Sequence, residues 1–476
     1  MRTDLIFLIP EITLLTMACL VLVVDAFSKD PLHKATYWLT QLSLLLTLFA
    51  VIYYSPDYSY VAFNGSFITD AMSASLKIFI CGITIVVFFY SYEYLKENEL
   101  LKGEYFVLGL FAVLGMMVMS SAYHLLSIYL GLELLSLSLY AMVAMHREST
   151  FATEAAIKYF VLGALASGML LYGISMIYGV TGSLQFSDIF ETINSGTIDK
   201  IYLVYGMIFL IVGMAFKLGA APFHMWVPDV YQGAPTSVTL FISSAPKLAA
   251  FAMAVRILSD ALLPLIEDWQ SILSILAVLS MAVGNIIAIA QTNIKRMLAY
   301  STIAHVGYLF LGLIAGTAFG FAGSMFYIIS YAFMSMGAFG MIILLGRYDL
   351  EADNLNDFKG LSIRNGWFAF IMLCLMFSMA GVPPFLGFWS KWFVLKELIA
   401  SGFIELAVIA VFFSIIGVYY YLRVVKLMYF DEPETMSAIK ATQQMRTVLT
   451  INGILILLIG LAPNSLMRIC LSAFSG

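Results

Sequence analysis

Four charged residues stand alone in long uncharged stretches of the sequence. They are Glu133 within 105–146, Lys217 after the run 201–216, Lys247 within 230–255 and Lys391 after the run 365–390. On insertion scales, one such residue at the centre of a membrane helix costs about 2.5–3.5 kcal/mol. Residues of this kind therefore face the interior of a helix bundle or a water-filled path, and they commonly mark a route for ions.

The chemistry that these residues can perform is proton transfer. Removal from water favours the neutral form of a lysine, whereas a nearby carboxylate favours the charged form. If Glu133 can approach and leave Lys217, that lysine becomes a switchable proton site. For this pair the alternative is a structural salt bridge between two helices. For Lys391 the alternative is a position at a helix end, because Lys396 and Glu397 follow closely.

Other ionisable residues are weaker candidates. Lys158 follows Glu154 by one helical turn, so it could form an ordinary i,i+4 ion pair. Lys77 lies near the end of an apolar run and could extend its ammonium to the membrane surface. His305 lies inside the apolar stretch STIAHVGYLFLG and His224 follows Pro222. A buried neutral histidine can pass protons, although it can equally be a hydrogen-bonded packing residue.

Two stretches near the isolated lysines resemble each other. GAAPFHMW at 219–226 and GVPPFLGFW at 381–389 both begin with glycine, contain Pro-Phe and end with an aromatic residue. Proline removes a backbone hydrogen bond and breaks a helix. Paired interrupted spans are typical of inverted-repeat transporters, whose ion sites lie near the breaks. The alternative is a pair of ordinary kinks that serve helix packing.

Composition indicates a membrane protein without a cofactor of its own. Hydrophobic residues make up 62% of the chain and charged residues 11%, whereas soluble domains are nearer 45–50% and about 25%. The four cysteines are far apart and have neither metal-ligand nor redox spacing. No glycine-rich phosphate loop follows a strand, and the net charge of −5 does not suggest nucleic acid.

Hydropathy predicts an all-α polytopic membrane protein with fourteen spans, since about 20 residues cross the hydrocarbon. The predicted spans are 5–26, 36–55, 71–93, 104–122, 124–145, 152–179, 201–226, 236–258, 269–291, 296–315, 317–346, 366–395, 402–428 and 446–466. The connecting segments are too short for a soluble domain, so residues 1–476 form one membrane domain. We expect the first span to be retained rather than cleaved as a signal peptide, because it contains Pro10 and Glu11.

Basic residues predict the orientation of the spans. Of the 24 lysines and arginines, fourteen lie in the loops on one side of the predicted membrane, five lie on the side of the two termini, and five lie inside or at the ends of spans. The richer side is expected to be cytoplasmic. Both termini are therefore predicted to be non-cytoplasmic.

Six stretches of the sequence closely resemble the antiporter-like membrane subunits of respiratory complex I, the proton-pumping NADH:quinone oxidoreductase, and in particular subunit N, the counterpart of mitochondrial subunit 2. The resemblance runs from about residue 70 to 430. It is carried by LGLELLSLSLYAM (130–142), EAAIKYFVLGALASG (154–168), FKLGAAPFHMWVPDVYQGAP (216–235), SSAPKLAAF (243–251), QTNIKRMLAYSTIAHVGYL (291–309) and MAGVPPFLGFWSKWFVL (379–395).

The resemblance implies an antiporter-like fold with two inverted five-helix repeats. The implied organisation is spans 1–3 at 1–95, one repeat at about 104–258, the other at about 269–428, a last span at about 446–466, and broken seventh and twelfth helices.

The resemblance also implies residue roles. Glu133 would pair with Lys217 and modulate its proton affinity, and Lys247 would be the central carrier. Lys391, reached through water and His305, would exchange protons with the far side. Lys158 matches a family lysine of less certain role.

Further expectations concern the partners of the chain. Flavin, iron–sulfur clusters and quinone would bind partner subunits, so the chain would move protons without redox chemistry. The expected partners are the other complex I membrane subunits, including an antiporter-like neighbour and small membrane subunits, together with the lipid of a bacterial inner membrane.

Three alternatives stay open at this point. Sister subunits L and M resemble the chain, but subunit L continues into a long lateral helix and subunit M carries glutamate where Lys391 stands. A stand-alone antiporter would exchange sodium for protons without a redox partner. A scaffold would keep the charges only for packing. Relatives fed by ferredoxin also leave the electron donor open.

Overall fold

The computed structural model describes residues 2–56, 58–196, 199–346, 352–434, 439 and 442–474. Arg347 and Lys440, two basic residues on which the predicted orientation depends, lie outside these residues. The described part contains 21 α-helices. The first eleven are α1 (Arg2–Phe7), α2 (Ile9–Phe27), α3 (Lys34–Tyr54), α4 (Ala71–Glu97), α5 (Gly103–Ser121), α6 (Leu125–Val143), α7 (Thr150–Thr181), α8 (Phe186–Asn194), α9 (Lys200–Leu218), α10 (Trp226–Gly233) and α11 (Thr236–Ser243).

The second half of the chain is also helical. Its helices are α12 (Ala245–Val255), α13 (Ile266–Ile289), α14 (Ile294–Ile314), α15 (Ala318–Leu345), α16 (Leu361–Arg364), α17 (Gly366–Ala380), α18 (Leu386–Ala400), α19 (Ile404–Phe430), α20 (Gln443–Leu461) and α21 (Pro463–Ser472). A π-helical turn, Arg256–Ala261, follows α12, and 3₁₀ turns occupy Leu263–Leu265 and Leu355–Phe358. Strands β1 (Tyr60–Ala62) and β2 (Phe67–Thr69) form an antiparallel hairpin before α4.

The structure confirms the predicted all-α membrane fold. In the described part of the chain, thirteen helical segments are long and apolar enough to cross a membrane. They correspond to thirteen of the predicted spans, and most ends agree within a few residues. The other span, predicted at 366–395, is divided into α17 and α18. The predicted seventh span is also divided, since α9 ends at Leu218 and α10 begins at Trp226.

Both breaks have the same local cause. A left-handed glycine follows the last helical residue in each case, with φ of 86° at Gly219 and 87° at Gly381. The amide two residues after each helix end bonds a carbonyl five residues back, Ala220 to Ala215 at 2.8 Å and Val382 to Phe377 at 3.0 Å. Glycine adopts this conformation without a steric penalty, and the pattern closes a helix end. The peptide bonds before Pro222 and Pro384 are cis.

A third interruption was not predicted. The eighth span divides at Ser244, whose backbone lies outside the helical region with φ −113° and ψ −97°, and α12 begins directly after it. Pro246 stands at the start of α12, where its missing N–H is tolerated. The break places Lys247 in the first turn of a new helix rather than in the middle of a continuous one.

The broken and central helices form the interior of the bundle. In the segment 236–261 every residue of the most apolar 18-residue stretch is buried, and in the same stretch of α14 and of α15 94% of the residues are buried. The corresponding share is only 28% in α2 and 33% in α7. A hydrophobic surface of this kind faces lipid or partner chains. The isolated lysines therefore belong to helices at the centre of the fold or next to it.

Candidate functional site

Glu133 and Lys217 have separate hydrogen-bond partners. The ammonium of Lys217 donates to the Ser136 hydroxyl at 2.9 Å in a buried contact. The hydroxyl of Ser167, on α7, donates to the Glu133 carboxylate. No ion pair joins Glu133 and Lys217 among the described contacts, although Ser136 lies only one helical turn after Glu133 on α6. In this structure the two charged groups contact hydroxyl groups of α6 and α7 rather than each other, and their pairing stays a prediction.

Lys247 reaches the first helix break. The residue is 2% exposed, and its ammonium donates to the Leu218 carbonyl at 2.6 Å. The ring of Trp226, the first residue of α10, lies 5.4 Å from the ammonium. The carbonyls at a helix C-terminus carry partial negative charge, and an aromatic face also attracts a cation. The end of α9 and the start of α10 together form a site that favours the protonated form of Lys247.

Lys391 makes the same kind of contact at the second break. Its ammonium donates to the Ala380 carbonyl at 2.9 Å and to the Ser414 hydroxyl of α19 at 2.9 Å. The ring of Tyr308 lies 5.1 Å from the ammonium. Ala380 precedes Gly381 just as Leu218 precedes Gly219. Each break therefore presents the last carbonyl of a half-helix to one lysine.

His305 lies among hydroxyl groups. Its Nδ1 is 2.6 Å from the Tyr327 hydroxyl and its Nε2 is 3.0 Å from the Tyr421 hydroxyl. Tyr308, one turn after His305 on α14, is the residue whose ring contacts Lys391. His305 and the residue that contacts Lys391 therefore lie one turn apart on α14. The predicted proton route between His305 and Lys391 stays a prediction. The weaker candidate His224 lies in the non-helical segment between α9 and α10.

Lys158 belongs to a charge cluster of which the sequence indicated only the contact with Glu154. Its ammonium lies 2.8 Å from Glu154, as the i,i+4 interpretation predicts, and 2.7 Å from Asp229 on α10. The other oxygen of Asp229 accepts from Arg296 of α14 at 2.7 Å. Asp229 thus joins α7, α10 and α14. Its place in WVPDVYQGAP, directly after a broken helix, was the available signal.

The prediction that Lys77 extends to the membrane surface is wrong. Lys77 is 3% exposed and its ammonium lies 2.5 Å from Glu11 of α2. The Glu11 carboxylate therefore holds the ammonium inside the helix bundle. Glu11 carried no functional prediction, because its single signal in the sequence is a carboxylate near the start of an apolar run.

Arg256 is a second buried charge, near the end of the span predicted at 236–258. It is 3% exposed in the π-helical turn and contacts Asp70 at 2.8 Å and Asp260 at 3.1 Å. Burial alone would raise the pKa of the Asp70 carboxyl, but Arg256 and hydrogen bonds from Ser73 hold that pKa below its ordinary value. Asp70 also caps α4 through the Ser73 amide at 2.9 Å. This cluster ties the start of α4 to the end of the eighth span.

The described residues contain no group of three or more His, Cys, Asp or Glu side chains that could hold a metal ion. The polar side chains described around the two breaks are those of lysine, glutamate, histidine and hydroxyl-bearing residues. These groups bind and release protons and form hydrogen-bonded chains. Lys217, Lys247 and Lys391 lie at the helix breaks. Glu133 lies on α6, the helix whose Ser136 contacts Lys217.

Comparison with known proteins identifies close relatives of the chain. Residues 122–417 match the family described as NADH:quinone oxidoreductase/Mrp antiporter, TM. NADH-quinone oxidoreductase subunit N of Thioalkalivibrio sulfidiphilus is 55% identical over 99% of this chain and 98% of the relative. The subunit of the same name from Thiobacillus denitrificans is 53% identical over 98% of this chain and 96% of the relative.

A solved structure has the same fold. The match is to a chain of respiratory complex I from Thermus thermophilus with bound aureothin, which is 30% identical. The alignment covers 98% of this chain and all of that chain, with a TM-score of 0.83. The similarity in fold therefore extends over nearly the full length of both chains.

Proposed function

The chain belongs to the NADH-quinone oxidoreductase subunit N family, and from this premise we propose that it carries protons across the membrane along a relay of Glu133, Lys217, Lys247 and Lys391. Reduction of quinone in other subunits drives the relay. NADH oxidation by flavin and iron–sulfur centres also belongs to those subunits, and this chain performs no redox step. Lys158 and His305 assist the relay.

The observation that supports the proposal most strongly is that each of two lysines donates a hydrogen bond to the last carbonyl of a broken helix. Lys247 bonds the Leu218 carbonyl and Lys391 bonds the Ala380 carbonyl. A packing scaffold has no need to present a helix end to a cation twice inside one bundle. A proton carrier does need such a place, because the carbonyl stabilises the ammonium while the surroundings disfavour it.

The repeat organisation supports an ordered transfer. The segments at about 104–258 and 269–428 each contain one break that combines a left-handed glycine with a Pro-Phe pair, in keeping with two inverted repeats. A proton that arrives on Lys217 adds a positive charge beside the first break, which favours release from Lys247. The released proton passes through the hydroxyl groups around His305 to Lys391. Return of Lys217 towards the Glu133 side of α6 resets the first half.

Lys158 has a supporting role in this proposal. Its contacts with Glu154 and Asp229 are partly exposed, and Arg296 shares Asp229. The cluster holds α10 against α7 and α14, and α10 carries the Trp226 ring that lies over Lys247. Lys158 thereby influences the relay through the position of α10.

The surface of α6 supports docking of partner subunits. Glu133 is partly exposed on the isolated chain, between Leu130 and Leu137, whose side chains are 59% and 55% exposed. A carboxylate facing lipid at this depth would be costly. An adjacent complex I membrane subunit, either an antiporter-like neighbour or a small membrane subunit, therefore covers this face. The chain lies in a bacterial inner membrane with both termini on the non-cytoplasmic side.

The proposal is tested against a stand-alone sodium/proton antiporter with sealed inside-out membrane vesicles. Vesicles from cells with and without this chain receive first NADH and then a sodium pulse, and internal pH is followed with a fluorescent dye. NADH-driven acidification that depends on the chain supports the proposal. Sodium-driven pH change without NADH-driven acidification would replace it with the antiporter.

A further inference from the structure

His305 has a tyrosine hydroxyl at each ring nitrogen. Tyr327 comes from α15 and lies 2.6 Å from Nδ1, and Tyr421 comes from α19 and lies 3.0 Å from Nε2. The histidine is 5% exposed, and the two tyrosines are 1% and 2% exposed. Three helices thus meet at one imidazole whose two nitrogens are both occupied.

The hydrogen-bonded chain continues beyond Tyr421. Its hydroxyl lies 2.5 Å from the Ser301 hydroxyl, and either oxygen can be the donor. Ser301 is 1% exposed and lies one helical turn before His305 on α14. At the other end, the Tyr327 ring stacks on Tyr308 with centroids 6.3 Å apart, and the Tyr308 ring contacts Lys391. The hydrogen-bonded chain therefore runs from Ser301 to Tyr327, and the ring contacts of Tyr308 place its Tyr327 end near Lys391.

A neutral imidazole has one donor nitrogen and one acceptor nitrogen. One tyrosine must then donate to His305 while the other accepts from it, so the whole chain has a direction. If the Tyr421 hydroxyl gives its proton to Nε2 and takes one from Ser301, Nδ1 releases a proton to Tyr327. A water molecule resupplies Ser301, and Tyr327 gives its own proton to a water molecule on the side of Lys391. Each hydroxyl gains one proton and loses one, no charge is left behind, and the ring changes tautomer.

The hydroxyl of the neighbouring Tyr331 belongs to a different hydrogen-bonded branch. The Tyr331 hydroxyl lies 2.6 Å from Thr302, and its ring lies 5.1 Å from the His305 ring between centroids. Thr302 donates to the Leu298 carbonyl of its own helix at 2.8 Å. A backbone carbonyl has no proton to pass on, so this branch ends there.

We propose that Tyr421 and Tyr327 are proton-carrying groups of the relay, and that Ser301, Tyr421, His305 and Tyr327 form a directional hydroxyl–imidazole chain which delivers protons towards Lys391. This inference rests on the proposed function. It adds three residues that the relay of isolated charges does not contain, and it predicts that phenylalanine, which retains the ring, is not a neutral replacement for either tyrosine.

The experiment uses the complete complex in inside-out vesicles and compares Tyr421→Phe and Tyr327→Phe with Tyr331→Phe. All three changes remove one buried hydroxyl beside α14, but the Tyr331 hydroxyl belongs to the branch that ends at Leu298. Ser301→Ala is a fourth variant, which interrupts the chain without altering any aromatic side chain. Lys247→Ala serves as the reference for the relay itself, and assembly is measured for each variant by the amount of complex in the membrane.

The rate of NADH-driven proton uptake per assembled complex is expected to fall about tenfold or more in Tyr421→Phe, Tyr327→Phe and Ser301→Ala. This loss is smaller than the ~100-fold effect of a lost acid–base group, because water can partly replace a hydroxyl. Tyr331→Phe should stay within about twofold of wild type. Similar rates in Tyr421→Phe, Ser301→Ala and Tyr331→Phe would overturn the inference if Lys247→Ala is inactive. If Lys247→Ala pumps normally, the proposed function fails and this inference fails with it.

Discussion

The ammonium of Lys247 lies 2.6 Å from the carbonyl of Leu218, the residue at which the first broken helix ends. That carbonyl has no partner inside its helix, because Gly219 turns the chain away. The lysine therefore fills a site that the break creates. Protonation of Lys247 and the geometry of the break are consequently linked, and a change in one is expected to alter the other.

This link predicts that Gly219→Ala impairs the relay. A Cβ at this position would lie 2.8 Å from Val227 and 3.5 Å from the Lys247 ammonium, at a φ of 86°. The backbone strain alone costs roughly 1–2 kcal/mol. Gly182→Ala is the matched control, since Gly182 also has a positive φ of 74° but a Cβ added there would meet no atom within 4 Å. NADH-driven proton uptake should fall in the first variant and persist in the second; equal uptake would argue against the link.

Lys391→Ala is expected to abolish most coupled proton uptake. Without the ammonium, the Ala380 carbonyl and the Ser414 hydroxyl lose their partner, and the relay loses its last lysine. Lys396→Ala, further along α18 at an exposed position, should behave as wild type. Proton uptake and NADH oxidation are measured together at equal assembly. Wild-type uptake in Lys391→Ala would place this residue outside the relay.

The buried pair Glu11 and Lys77 should contribute to stability rather than to transport. Lys77→Ala would leave Glu11 buried without a counter-charge, at a cost of about 3–5 kcal/mol. The double variant Glu11→Gln, Lys77→Met removes both charges and should recover most of that loss. The midpoint of thermal inactivation of the assembled complex gives the comparison. A single variant as heat-resistant as the double one would show that the pair carries little energy.

Asp229→Asn is expected to loosen α10. It weakens the contacts of Asp229 with Lys158 and Arg296, which are 41% and 30% exposed, so solvent screening limits each loss to about 1 kcal/mol or less. Glu154→Gln alters a 62% exposed carboxylate whose one ion pair in the described part of the chain is with Lys158, and it should have a smaller effect. Thermal inactivation in low and high salt separates the two variants, and identical behaviour would contradict the role of Asp229 in joining three helices.

The sequence predicted the membrane spans, the two proline breaks and the isolated charges because each of these is a local property. Apolar length sets a span, Gly and Pro set a break, and a lone charge in an apolar run is visible without knowledge of the fold. Lys217, Lys247 and Lys391 are therefore recognisable from the sequence as isolated charges.

The side chains that each charged residue contacts were less predictable, because these contacts depend on how distant segments of the chain pack together. Lys158 and Asp229 are 71 positions apart, and no periodicity along either helix indicates that they meet. Lys77 was interpreted as reaching the membrane surface because it lies near the end of an apolar run, whereas its partner Glu11 comes from a different helix. The tyrosines around His305 were missed for a related reason, since a chain rich in aromatic residues gives no signal for the few hydroxyls that face one another.

The central claim is that Lys247 carries protons during NADH oxidation, and proton uptake by sealed inside-out vesicles tests it most directly. Lys247→Ala is compared with wild type and with Lys200→Ala, whose side chain is 65% exposed and contacts Asp268 at 2.9 Å. At matched assembly we predict loss of NADH-driven uptake in Lys247→Ala and retention in Lys200→Ala. Wild-type uptake in an assembled Lys247→Ala complex would contradict the account and reduce Lys247 to a packing residue.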